Sequence, residues 1–102
     1  MANDTTPRGI KFDSGRVMAT PMALASLALV PETPELLLAR HLSGDWGDVD
    51  DDDKGTNDYA LRYGGRIFSA YVVGRDTRDE ERVWVITEAD RSSTCILLPE
   101  DY

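Results

Sequence analysis

The sequence predicts an α+β domain. The expected architecture is a three- to four-stranded, mainly antiparallel sheet with about three helices packed on one face, in the order β-α-α-α-β-β-β. Three observations carry this. Two Thr-Pro steps, Thr20-Pro21 and Thr33-Pro34, open leucine-rich segments in the first half, with Thr suited to cap a helix and Pro to its first position. From Arg66 to Leu98 the texture changes to β-branched and aromatic runs, the composition of strands. The connections between those runs are short, which makes neighbouring strands antiparallel.

In chain order, Met1 to Gly15 is polar, with only Ile10 and Phe12 as apolar anchors, and reads as a flexible tail. A single domain over 16–102 follows. Arg16 to Thr20 is a short strand. Pro21 to Leu29, apolar almost all round, reads as a buried helix. Pro31 stops it, and a second helix runs from Pro34 to about Leu42, with Glu35 in its positively polarised first turn and Gly44 as its stop. The third helix spans roughly Asp50 to Tyr63, or begins after Gly55 with Thr56 as cap, because an interior glycine costs about 1 kcal/mol against alanine. Tyr59, Ala60, Leu61 and Tyr63 are its expected apolar contacts. Arg66–Val73, Arg82–Thr87 and Thr94–Leu98 are the last three strands, joined by the polar connections Gly74–Glu81 and Glu88–Ser93.

Composition narrows the function. A 102-residue chain with 41% hydrophobic residues and a net charge of −8 suits one acidic globular domain. That balance argues against direct nucleic-acid binding, which needs clustered Lys and Arg, and favours attraction to a basic protein surface. One cysteine, Cys95, cannot close an internal disulfide and fits a reducing cytoplasm. No apolar run approaches the ~18 residues of a membrane span, so no membrane partner is expected.

The charge is concentrated. Between Asp45 and Asp58, seven aspartates against one lysine leave −6 of the chain's −8. Asp48-Val-Asp50-Asp-Asp52 has the alternation of a calcium-loop start, but the sixth and twelfth positions are Asp53 and Tyr59 where Gly and Glu are required. A frame starting at Asp50 gains Gly55 at position six but has Lys54 and Leu61 at five and twelve. One histidine and one distant cysteine also fall short of a zinc set. No metal and no cofactor is expected.

His41, Ser43 and Asp45 are the residue types of a hydrolytic triad, but their spacing at a helix end does not create base–nucleophile geometry. Glu88-Ala-Asp90-Arg91-Ser92 reads first as a tight turn. Trp46, between glycine-flanked acids, is either an anchor folding the loop onto the core or an exposed contact residue, and the burial energy of its ring favours the anchor. No residue is assigned a catalytic role.

The stretches His41-Leu-Ser-Gly-Asp-Trp-Gly-Asp48, Asn57-Asp-Tyr-Ala-Leu61, Gly65-Arg-Ile-Phe-Ser-Ala-Tyr71, Trp84-Val-Ile-Thr-Glu-Ala-Asp-Arg-Ser-Ser-Thr94 and Leu97-Leu-Pro-Glu-Asp-Tyr102 resemble a family of small bacterial proteins of plasmids and integrated mobile elements, often labelled plasmid-related. The resemblance runs from about Arg16 to Tyr102. It implies a bacterial mobile-element setting and brings no catalytic residue with it.

The leading functional expectation is a non-catalytic anti-defence inhibitor of anti-restriction or anti-CRISPR type. It would mimic DNA and occupy the basic surface of a nucleic-acid-binding host protein through Asp45, Asp48 and Asp50, Asp51, Asp52 and Asp53, with Trp46 as anchor. The alternative is a small-ligand or hydrolytic site where the His41–Asp48 and Glu88–Thr94 loops converge. There His41 would be the base and Arg91 the anion binder, with Ser43, Glu88, Asp90 and Ser92 as polar neighbours. A general protein-interaction module is the third reading.

Overall fold

In a computed structural model, which describes residues 9–102, the chain forms β1 (Arg16–Ala19), α1 (Pro21–Leu27), α2 (Pro34–Leu42), α3 (Asp51–Tyr63), β2 (Ile67–Val73), β3 (Glu81–Thr87) and β4 (Ser93–Leu97), closed by a 3-10 turn at Pro99–Asp101. This is the expected α+β order.

Each helix starts on a side-chain cap. Thr20 Oγ1 accepts from the Ala23 N–H at 3.1 Å, and Thr33 Oγ1 accepts from Leu36 at the same distance. Asp50 Oδ1 accepts from Asp53 at 2.8 Å. The last contact resolves the start of α3: Asp50 is the cap, and the Thr56 hydroxyl instead donates to the Asp52 carbonyl inside the helix. An aspartate cap followed by Asp51, Asp52 and Asp53 complements the helix dipole and offsets the cost of Gly55.

Two helical expectations are corrected. α1 ends at Leu27, and only Ala23 and Leu27 on it are buried; Met22, Leu24 and, just beyond, Leu29 are exposed. A helix of two turns resting on a sheet can bury only one side. On α3 the inward residues are Asn57 and Ala60, whereas Tyr59 and Tyr63 lie in solvent.

The sheet order is β1-β4-β3-β2. β2, β3 and β4 form an antiparallel meander, with Tyr71 opposite Val83 and Val85 opposite Ile96. β1 adds to β4 in parallel, as its long connection through three helices allows. Side chains alternate across the sheet. One face carries Tyr71, Val73, Val83, Val85 and Ile96, which with Leu98 pack against Ala23 and Leu27 of α1 and Leu37 of α2. A second cluster, Trp46, Val49, Ala60, Ile67 and Ala70, joins α3 to β2. No described helix is long and apolar enough to cross a membrane.

Of the expected N-terminal tail, residues 1–8 lie outside the described residues. Beyond them the chain is tied down before Arg16. The Lys11 N–H donates to the Leu42 carbonyl at 2.8 Å, and Thr94 Oγ1 donates to the Ser14 carbonyl at 2.8 Å. Phe12 stacks edge-on against His41, with ring centres 5.3 Å apart. The packed domain therefore begins ahead of its expected boundary, because Phe12 fills a place in the second apolar cluster.

Candidate functional site

The segment from His41 to Asp58 splits into three parts with different jobs. The first seals a sheet edge. β2 is an outer strand, and its outward N–H groups would be open to stray pairing. Each is occupied. Phe68 donates to Asn57 Oδ1 at 3.0 Å, Ala70 to the Trp46 carbonyl at 3.1 Å, Val72 to Asp48 Oδ2 at 3.1 Å and Gly74 to Glu32 Oε1 at 3.0 Å. Asn57 also donates its amide to the Phe68 carbonyl at 2.6 Å, and the Asp48 N–H donates to the Ala70 carbonyl at 2.6 Å.

Gly47 sits at this crossing with φ +74°, where an added Cβ would run into the Ala70 carbonyl and the Tyr71 ring. Only glycine accepts both conditions. Asp45 completes the plug. Arg40 grips it through Nε at 2.6 Å and Nη2 at 3.2 Å, which holds its carboxyl below the usual range, with the Gly47 N–H assisting. The Asp45 carbonyl accepts from the Tyr71 hydroxyl at 2.6 Å, whose pKa burial pushes up to about 12. Trp46 is 6% exposed, and its indole N–H donates to Asp58 at 3.3 Å. It is an anchor, and burial removes it from any partner-contact role.

The second part is a buried polar chain around His41, which is fully buried. Thr94 gives its only hydroxyl proton to the Ser14 carbonyl, so Thr87, 2.7 Å away, must donate to Thr94. Thr87 then has only lone pairs for His41 Nε2 at 2.9 Å, which makes Nε2 the protonated nitrogen. Nδ1 accepts from the Ser69 hydroxyl at 2.6 Å. The ring is neutral and satisfied on both sides. Burial first, and the Arg91 charge second, lower its pKa to about 4.

The His41 and Glu88–Thr94 loops do converge, through Thr87 and through Phe12, which lies beneath the Arg91 guanidinium at 5.6 Å. What they build is a brace. Arg91 donates to the carbonyls of Gly65 at 2.6 Å and Ala60 at 3.0 Å, tying the C-terminal end of α3 to the β3–β4 turn. Ser43 donates to the Arg40 carbonyl. The Asp90 carboxyl, held low by hydrogen bonds from Ser92, accepts from the Ser92 N–H within the same turn. Glu88 faces Arg66 at 3.6 Å. With His41 engaged through both nitrogens in the core and Arg91 spent on backbone carbonyls, these two loops present no nucleophile–base pair to solvent among the described residues.

The third part is what remains exposed. Asp51, Asp52 and Asp53 stand in solvent on the first turn of α3, without an ion pair among the described residues. Asp45 and Asp48 are instead drawn to Arg40 and Arg75. Further along the helix, Tyr59 and Tyr63 are 64% and 66% exposed, with rings 4.7 Å apart. Asp52, Thr56, Tyr59 and Tyr63 recur at four-, three- and four-residue steps and so share one side of the helix. The tyrosines are the residues that sequence reasoning placed in the core. Their spacing relative to Asn57 and Ala60, the two buried positions, was the available signal.

Comparison of the chain with protein-family models, curated proteins and solved structures finds no match.

Proposed function

We propose that this is a non-catalytic binding protein that uses the outer side of α3 to occupy the basic surface of a nucleic-acid-binding host protein, standing in for phosphate charge. One observation carries the reading: free carboxylates at Asp51, Asp52 and Asp53 and two solvent-exposed tyrosines lie on one helix, while the candidate catalytic side chains are committed to the fold. Unpaired surface acids steer a basic partner and make the association salt-dependent. Tyrosines supply contact area at small entropic cost. In this reading the acidic contact narrows to Asp51, Asp52 and Asp53, and Tyr59 and Tyr63 replace Trp46 as anchors. An anti-restriction or anti-CRISPR role in a bacterial mobile-element setting is the form of it that the family resemblance suggests.

The test is a pull-down from bacterial lysate at low and moderate salt. It compares the wild type with Asp51→Asn/Asp52→Asn/Asp53→Asn, which keeps Asp50 as the helix cap, and with Tyr59→Ala/Tyr63→Ala. Recovery of a DNA-binding protein from which the wild type displaces DNA, by an association that weakens with salt and is lost from both variants, supports the proposal. A partner retained equally by all three forms at both salts refutes it.

A further inference from the structure

The two edges of the sheet are treated differently. The β2 edge has a partner for each outward amide from Phe68 to Gly74. At the other edge, the Arg16 and Thr20 N–H groups donate inward to the Ser92 and Ile96 carbonyls. By the two-residue alternation of a strand, Val17 and Ala19 point their N–H and C=O groups away from the sheet. Among the described residues nothing pairs with them. Val17 and Met18 are each 44% exposed, and Met22 and Leu24, in the adjoining first turn of α1, are 57% and 47% exposed.

We infer that β1 pairs with β1 of a second copy of this chain, antiparallel about a two-fold axis at Met18, joining two four-stranded sheets into one of eight strands. The occupant follows from register and charge. Antiparallel hydrogen-bonded pairs form between residues whose backbone groups both face outward. Setting Met18 opposite Met18 of the second copy places Val17 opposite Ala19 of that copy, twice by symmetry, so all the outward groups of both residues are paired. The same register sets Arg16 opposite Thr20 of the second copy.

Thr20 Oγ1 donates to Asp101 Oδ2 at 2.6 Å, and the Leu98 N–H donates to that same oxygen at 3.1 Å. Oδ1 of Asp101 therefore remains for a guanidinium. Arg16 is exposed and has no ion pair among the described residues. Arg16, Met18 and Thr20 share one sheet face, so each arginine reaches the carboxylate of the other copy on the side where it lies. Slipping the register to Val17 opposite Val17 sets Arg16 against Met18 and forfeits both ion pairs. A two-fold arrangement also closes on itself, as an isologous interface requires.

The test is sedimentation of the full chain over a wide concentration series, with hydrogen exchange of the Val17 and Ala19 amides. The wild type is expected to dimerise, with both amides slowing as dimer accumulates. Met18→Lys, which opposes two ammonium groups at the axis, and Arg16→Glu should each weaken the dimer at least about tenfold. Neither side chain is buried in the single chain, so thermal unfolding at concentrations where the wild type is monomeric should change little. Arg16→Glu/Asp101→Arg should regain dimerisation relative to Arg16→Glu alone. A wild type that stays monomeric throughout, a dimer indifferent to Met18→Lys, or a dimer whose Val17 and Ala19 amides exchange as fast as in the monomer overturns the inference.

Discussion

Acidification from pH 7 to 4.5 should destabilise this protein through one residue, His41. Its folded pKa is about 4 against an ordinary 6.5. Above 6.5 neither state holds the proton and the residue is indifferent to pH. As pH falls below 6.5 the unfolded chain takes up a proton that the native ring refuses, so stability drops until pH approaches 4. The gap corresponds to roughly 3 kcal/mol, accrued at up to about 1.4 kcal/mol per pH unit. Asp45 acts in a lower window: held below 3.8 chiefly by its hydrogen bond from Arg40, it contributes stability that is present above that value and lost as pH falls below it.

Urea denaturation followed by tryptophan fluorescence reads the effect, since the Trp46 ring lies 6.0 Å from His41. At a slope of about 1–3 kcal/mol per molar urea, the midpoint should fall by roughly 1–3 M across the window. His41→Gln cannot serve both Ser69 and Thr87 in the same way. It should cost about 1–3 kcal/mol at neutral pH and flatten the profile between pH 6.5 and 4.5. A wild-type profile already flat there, or an imidazole titrating near 6.5 by NMR, would refute the neutral buried chain.

Three further substitutions probe the frame. Asn57→Ala strips both hydrogen bonds from Phe68 and should cost about 2–4 kcal/mol, with faster exchange of the Phe68 amide and greater aggregation through the unsealed β2 edge. Gly47→Ala forces a side chain into a left-handed position against the Ala70 carbonyl and should cost more than about 3 kcal/mol in denaturant titration. Gly55→Ala meets open space in a helix interior; it should stabilise by about 1 kcal/mol and raise the melting temperature by about 4–8 °C.

What the sequence alone determined is local or periodic in origin. Thr20-Pro21 and Thr33-Pro34 announce helices because capping and a fixed φ act within one turn. The runs around Tyr71, Val83 and Ile96 announce strands because their residue types suit a pleated, half-buried surface. Those signals, with short connections, were enough for the fold class and the order of elements.

Tertiary structure decided the meaning of the polar residues. Asp48 and Asn57 seal a strand edge, and Asp45 braces the same loop, because that loop passes beside β2. No spacing in the chain announces that approach. His41 is a neutral core group rather than a base because Ser69, Thr87 and Thr94, distant in sequence, meet it on one face of the sheet. Arg91 braces α3 because the β3–β4 turn ends beside its last carbonyls. Tyr59 and Tyr63 are exposed because Asn57 and Ala60 are the side of α3 that faces β2. Backbone propensity sets which element forms, but the fate of a charge depends on what other elements bring within hydrogen-bonding distance.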